Sequence, residues 1–112
     1  VLQGGMGMAA SGNIGDKQAF FEPVHGSAPK HAGQNKVNPI ASINSIQMMM
    51  DWLGRKKSND QMIQIGKLID DSVADHLKDG KNLTYDLGGK ASCSFVGEGI
   101  SSILAEKLAE QF

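Results

Sequence analysis

Cysteine is the scarcest chemistry in this chain: among 112 residues there is one, Cys93. A single thiol excludes an intrachain disulfide, so the fold cannot be a stapled mini-scaffold, and a small half-buried residue is expected there. A lone reduced thiol fits a cytoplasmic compartment. Aromatic side chains make up only 5% of residues, with one Trp and one Tyr. No apolar run approaches the ~20 residues that a bilayer-crossing helix needs. The opening stretch VLQGGMGMAASGN carries no basic residue of the kind that begins a signal peptide. Neither sign of charge dominates, since 11 Lys and Arg against 12 Asp and Glu leave a net charge of −1. That balance gives no electrostatic footprint for nucleic acid and none for an acidic membrane surface, so neither is expected as a partner. No His and Cys residues recur at metal-ligand spacing either.

What remains is an ordinary globular composition, 40% hydrophobic and 21% charged, long enough for one domain with a modest core. Glycine is abundant at 14, and seven of these fall in the first 33 residues, so the front of the chain is loop-rich. Val1 to Ala10 reads as a strand or extended segment in which Gly4, Gly5 and Gly7 mark close backbone approach or positive φ. ASGNIGD, Ala10 to Asp16, is a turn-forming cluster. AFFEPV, Ala19 to Val24, is strand-like and stopped by Pro23. Then comes FEPVHGSAPKHAGQNKVNP, Phe21 to Pro39, with all three prolines and two of the three histidines. A loop approaching about twenty residues without secondary structure is uncommon in a compact domain unless it has a function.

The rear of the chain reads as three amphipathic helices. Asn38 and Pro39 suit the N-cap and first position of the first, whose apolar face is Ile43, Ile46, Met50 and Leu53, with Gly54 closing it. Met48 to Met50 is core filling rather than a ligand site. SNDQ, Ser58 to Gln61, resembles a capping box before a second helix with the face Met62, Ile65, Ile69, Val73 and Leu77, closed by Gly80. GKNLTYDLGGKAS connects to a third helix from Phe95 or Val96, with Ile100, Ile103, Leu104 and Leu108 on one face. The fold class expected is α/β, three main helices plus one or two short strands. Those strands need partners to satisfy their edges.

For chemistry, the loop offers the only constellation worth weighing. Gly26, Ser27, Ala28 and Pro29 are small enough for a ligand to approach the main chain, whose N–H groups can face phosphate oxygens. His25 can stack on a planar base, Lys30 and His31 can supply positive charge, and the carboxamide of Asn38 can donate and accept at once, which suits an adenine edge. The competing reading is a solvated loop in which Asn38 merely caps a helix. Spacing alone favours that second reading, because the motif is neither a P-loop nor G-x-G-x-x-G. Glu22 is the one carboxylate near the loop, and it equally suits a strand end. Asp70 and Asp71 read as a solvated helix face, and His76 as a partner of a helix C-terminus. No Ser/His/Asp triad is assignable.

The stretches FEPVHGSAPKHAGQNKVNPIASI, GGMGMAASGNIGD and LTYDLGGKAS, in this order, closely resemble the β-decarboxylating dehydrogenases, the isocitrate and isopropylmalate dehydrogenase family. The resemblance runs over essentially the whole chain, and the HGSAP, AG and NP elements are specific. It implies that residues 1–112 are the C-terminal third of a longer subunit, the closing segment of its large, cofactor-binding domain, with the N-terminal part and small domain absent. It implies an oxidative decarboxylation of a 2-hydroxy acid by a subunit that forms homodimers when complete. By position, His25 would stack on adenine, Gly26, Ser27, Ala28 and Pro29 would wrap the adenosine diphosphate, and Asn38 would read the adenine edge. Glu22 and Gly7 would lie toward the nicotinamide end. Catalytic residues and the ligands of Mg²⁺ or Mn²⁺ would lie outside this sequence, so the 112-residue chain alone is expected to be inactive.

Lys30 and Tyr85 match the pattern of NADP-preferring members, His31 replaces a tyrosine, and Gly89 stands where an arginine would be. NADP is therefore expected, with NAD the alternative. The form AGQNKVNP points to isocitrate; isopropylmalate, homoisocitrate and tartrate enzymes are the related alternatives, as is a non-catalytic nucleotide-binding or oligomerisation module.

Overall fold

The computed structural model describes residues 8–112, so the expectations placed on Val1 to Gly7, including Gly4, Gly5 and Gly7, lie outside the described residues. From there the chain forms a hairpin of β1 (Ala10–Ile14) and β2 (Ala19–Pro23), a short 3₁₀ turn (Pro29–His31), then α1 (Ile40–Lys56) and α2 (Asp60–Asp79). A second 3₁₀ turn (Tyr85–Leu87) leads into α3 (Cys93–Gln111). The two strands pair antiparallel, Ala10 opposite Pro23 and Ile14 opposite Ala19, and Gly15 N–H closes the turn on Gln18 O at 2.8 Å.

The helices form where an apolar stripe coincides with a start signal. Asn59 caps α2, its side chain accepting from Met62 N at 3.2 Å, and Gly80 ends that helix in the left-handed region at φ 68. Ser92 caps α3 by accepting from Phe95 N at 3.1 Å. The core is the cluster Ile40, Val73, Val96 and Ile100, one or two residues from each helix, with Met8, Ile43, Leu77 and Ala91 packed around it. Lys107 of α3 reaches Asp75 of α2 at 2.9 Å. Asn44 of α1 donates to Met8 O at 2.9 Å and ties the start of the hairpin to the helices. No described helix is long and apolar enough to cross a membrane.

Several sequence expectations change. Ala10 to Asp16 is mostly strand rather than turn, because β2 supplies a hydrogen-bonding partner and only residues 15–18 turn. Gly54 lies inside α1 instead of ending it: a Cβ there would sit 2.6 Å from Ile63 Cγ1 and 2.8 Å from Ile63 N, so glycine allows α2 to start against α1. The face of α1 is rotated from the one expected. Ile40, Ala41 and Ser45 are buried, whereas Ile46 is 51% exposed. Asn38 stands one place before the N-cap residue Pro39 and still serves the helix start, its Oδ1 accepting from Ile40 N at 2.9 Å. Asn59 rather than Ser58 is the cap of α2, and α3 begins at Cys93, two residues ahead of Phe95. His76 is buried and its Nε2 donates to Asn82 O at 2.7 Å beyond the helix end.

Candidate functional site

The loop between β2 and α1 is shaped by its own short-range bonds. Ala28 takes a left-handed conformation at φ 47, and Pro29, with its fixed φ, begins a single 3₁₀ turn in which His31 N donates to Ala28 O at 2.9 Å. Gly33 follows at φ 77, a value that glycine adopts without a Cβ penalty, and reverses the chain toward α1. His25, Gly26, Ser27 and Ala28 thereby come to face Val37 and Asn38 from the far end of the loop. Tyr85 and Asp86 of the second 3₁₀ turn close the space between them. The result is a concave pocket of about 380 Å³ lined by these eight residues. A larger, more open hollow of about 700 Å³ follows the hairpin turn from Asn13 to Phe20 and holds none of the candidate residues.

A polar network braces the pocket wall. Asn38, only 6% exposed, donates from Nδ2 to Asp86 Oδ2 at 3.1 Å, while Asp86 Oδ1 accepts from the buried Thr84 hydroxyl. The carboxamide therefore has one N–H and one lone pair left for a ligand. His25 Nδ1 donates to Gly26 O at 2.7 Å, which orients the imidazole at the rim. On the outer side, the rings of His31 and Tyr85 meet at 5.3 Å between centroids, tilted by 53°. The Lys36 ammonium lies 5.4 Å from the Tyr85 ring centre. His31 Nδ1 is buried and has no hydrogen-bond partner among the described residues.

Six of the sequence candidates, His25, Gly26, Ser27, Ala28, Asn38 and Tyr85, thus line one cavity although the last lies 47 positions beyond Asn38 in sequence. Pro29, Lys30 and His31 form the 3₁₀ turn beside it and are not part of its lining; Lys30 is exposed and its carbonyl accepts from Gln34 Nε2 at 2.9 Å. Glu22 is exposed on β2 opposite Ser11, away from the lining, and Gly7 is outside the described residues. Val37, Asp86 and Lys36 were missed from sequence. Asp86 adjoins Tyr85 in TYDL, and Lys36 is a cation inside the loop, so both carried a readable signal. Chemically, the arrangement offers a stackable imidazole, an amide edge and small residues that leave the main chain open, which is recognition chemistry. Among the described residues no group of three or more His, Cys, Asp or Glu side chains is close enough to hold a metal ion.

A family model for isocitrate/isopropylmalate dehydrogenase matches residues 1–100. The chain belongs to that family. Homoisocitrate dehydrogenase of Methanocaldococcus jannaschii is 46% identical over 107 residues, which are 96% of this chain and 28% of that protein. The NADP isocitrate dehydrogenase of Haloferax volcanii is 46% identical over 84 residues, 75% of this chain and 18% of that protein. The apo crystal structure of a β-decarboxylating dehydrogenase from Thermococcus kodakarensis superposes with a TM-score of 0.81 at 40% identity, covering 95% of this chain and 29% of that one. The three helices and the two-stranded sheet therefore carry the α/β fold of the isocitrate/isopropylmalate dehydrogenases, over a chain that spans 28% of the length of the M. jannaschii relative.

Proposed function

We propose that this chain holds the adenosine end of a nicotinamide dinucleotide within an enzyme that oxidatively decarboxylates a 2-hydroxy acid, with isocitrate as substrate and NADP as cofactor. The observation that carries the reading is the single cavity in which His25, the Gly26–Ala28 strip, Asn38 and Tyr85 converge. The residues suit the group. The His25 ring can stack on a purine, the remaining N–H and lone pair of Asn38 match an adenine edge, and the small residues leave the main chain open to phosphate oxygens. The His31 and Tyr85 rings and the Lys36 ammonium lie together beside the cavity, and Lys30 belongs to the adjoining 3₁₀ turn; these groups suit the extra phosphate of NADP.

A bound dinucleotide supplies the hydride acceptor, and a divalent metal, Mg²⁺ or Mn²⁺, supplies the Lewis acid. The residues of this chain bind and orient the adenosine, and proton transfer and metal ligation are assigned to none of them. The loop form AGQNKVNP supports isocitrate, and the names of the relatives support a 2-hydroxy acid of this kind more broadly.

Calorimetric titration of the chain with NADP and NAD tests the reading. NADP is expected to bind more tightly. Lys30→Asp is expected to move the preference toward NAD by roughly 10- to 100-fold, the worth of one charge-assisted bond of ~1.5–3 kcal/mol to the phosphate. An unchanged NADP/NAD ratio in that variant removes the NADP assignment, and no heat with either dinucleotide at millimolar concentration removes the site itself.

A further inference from the structure

The second half of the loop is held in place by one side chain that does not line the pocket. Asn35 sits in the left-handed region at φ 52, a conformation Asn tolerates better than most residues. From there its main-chain O accepts from Cys93 N at 2.8 Å, its Oδ1 accepts from Ser94 N at 2.9 Å, and its Nδ2 donates to Ser94 Oγ at 2.8 Å. Cys93 and Ser94 are the first two residues of α3, so their N–H groups have no acceptor within the helix. Asn35 satisfies both, and Ser92 satisfies the third at Phe95. The bridge spans 59 positions of sequence and is the tie between a loop with no regular structure from 32 to 39 and a helix of the core. Two and three residues further on, Val37 and Asn38 form the wall opposite His25.

We propose that Asn35 is a positioning residue for nucleotide binding: its bridge to α3 fixes where Val37 and Asn38 enter the pocket wall, and it couples occupancy of the pocket to the first turn of α3. The inference rests on the nucleotide reading above and adds a residue outside the cavity lining. Asn35→Gly isolates the effect, because glycine keeps the left-handed backbone and the main-chain acceptor while deleting the two side-chain bonds. Asn35→Asp is the conservative partner. Its carboxylate can still accept from Ser94 N–H and from the Ser94 hydroxyl, and a negative charge is favourable at a helix N-terminus.

The experiment uses the 112-residue chain and NADP, with affinity read by calorimetry and amide hydrogen exchange read with and without ligand. In the unsubstituted chain, NADP is expected to slow exchange at Cys93 and Ser94. Asn35→Gly is expected to weaken NADP binding roughly tenfold, the order expected for two hydrogen bonds of modest net strength, and to abolish that slowing. Exchange in the middle of α2 should stay as it was. Asn35→Asp is expected to bind within about threefold of the unsubstituted chain and to regain the slowing. Three results overturn the inference while leaving the nucleotide reading intact: equal affinity in Asn35→Gly, equal loss in both variants, or faster exchange throughout the fold in Asn35→Gly, which would make the role one of global stability. Absence of NADP binding by the unsubstituted chain overturns the nucleotide reading and this inference with it.

Discussion

Gly89 stands at the position where NADP-preferring relatives are expected to carry an arginine, and the local backbone explains why a side chain is absent. Its N–H donates to Thr84 O at 3.0 Å, and two residues later Ala91 N donates to Leu83 O at 2.9 Å, so the chain folds back tightly on residues 83 and 84. A Cβ at Gly89 would run into the Leu83 carbonyl, lying 2.6 Å from its carbon. The obstacle is backbone, which cannot rotate away as a side chain can. Gly89→Arg is therefore expected to lower stability by about 1–3 kcal/mol or more, the usual scale of overpacking, without raising NADP selectivity. Thermal unfolding and the NADP/NAD binding ratio read the two parts separately. Higher selectivity with an unchanged midpoint would show that residues 83–91 accept another path. Under the NADP reading proposed above, the charge for the additional phosphate would come from Lys30 and Lys36, both within the loop.

At the scale of elements, the caps and one ion pair set what each helix contributes. Ser92→Ala removes the acceptor for Phe95 N and is expected to cost ~0.5–2 kcal/mol, seen as a lower unfolding midpoint. Lys107 is held above its ordinary lysine pKa, chiefly by its hydrogen bond to Asp75 and then by the neighbouring carboxylates of Asp75, Asp71 and Glu110. A raised lysine pKa contributes stability that is fully present below the unfolded-state value and is lost as pH rises through the folded-state value. The difference in unfolding midpoint between the unsubstituted chain and Lys107→Gln is thus expected to be small, as for exposed pairs generally, constant from about pH 6 to 9, and gone only in strong alkali. A difference that changed near neutral pH would point to a group other than Lys107.

The helices themselves were legible because a 3.6-residue apolar period survives in any packing, and Ile69, Val73 and Ile100 are buried as that period required. Their edges were less so. Gly54 reads as a stop signal by residue type, and only the approach of Ile63 reveals it as an interior contact. Strand β1 was hidden because Gly12 and Asn13 favour turns locally, and the pairing with Phe21 and Phe20 that overrides them is a tertiary fact.

For the whole molecule, the site was legible to the extent that its residues are neighbours in sequence. His25 to Ala28 and Asn38 belong to one unusual loop, and Tyr85 was reached through resemblance; Asp86 and Asn35 hydrogen-bond to partners 48 and 59 positions away, which no local pattern encodes. That same long-range wiring makes a global prediction. The buried apolar residues among those described are few, Ile40, Ala41, Leu68, Ile69, Val73, Val96 and Ile100, so the chain rests on a small core and its stability is expected to be modest. Asn38 joins α1 to the 84–86 turn, and Asn35 joins the loop to α3, so a ligand seated between these segments favours the folded state over the unfolded one. A dinucleotide at 100 times its dissociation constant adds ~2.7 kcal/mol by mass action. For a chain of this size, that corresponds to a rise in unfolding midpoint of roughly 10–15 °C. Trp52, which packs 6.2 Å from Phe21 on the hairpin and is not part of the pocket lining, gives a fluorescence signal for that transition. The midpoint is expected to climb with the logarithm of NADP concentration in the unsubstituted chain and to stay flat in His25→Ala. Under the same conditions, isocitrate and Mg²⁺ are expected to produce no nicotinamide absorbance. A midpoint that ignored NADP would remove the pocket as a nucleotide site, and turnover by the chain alone would place catalytic groups within it.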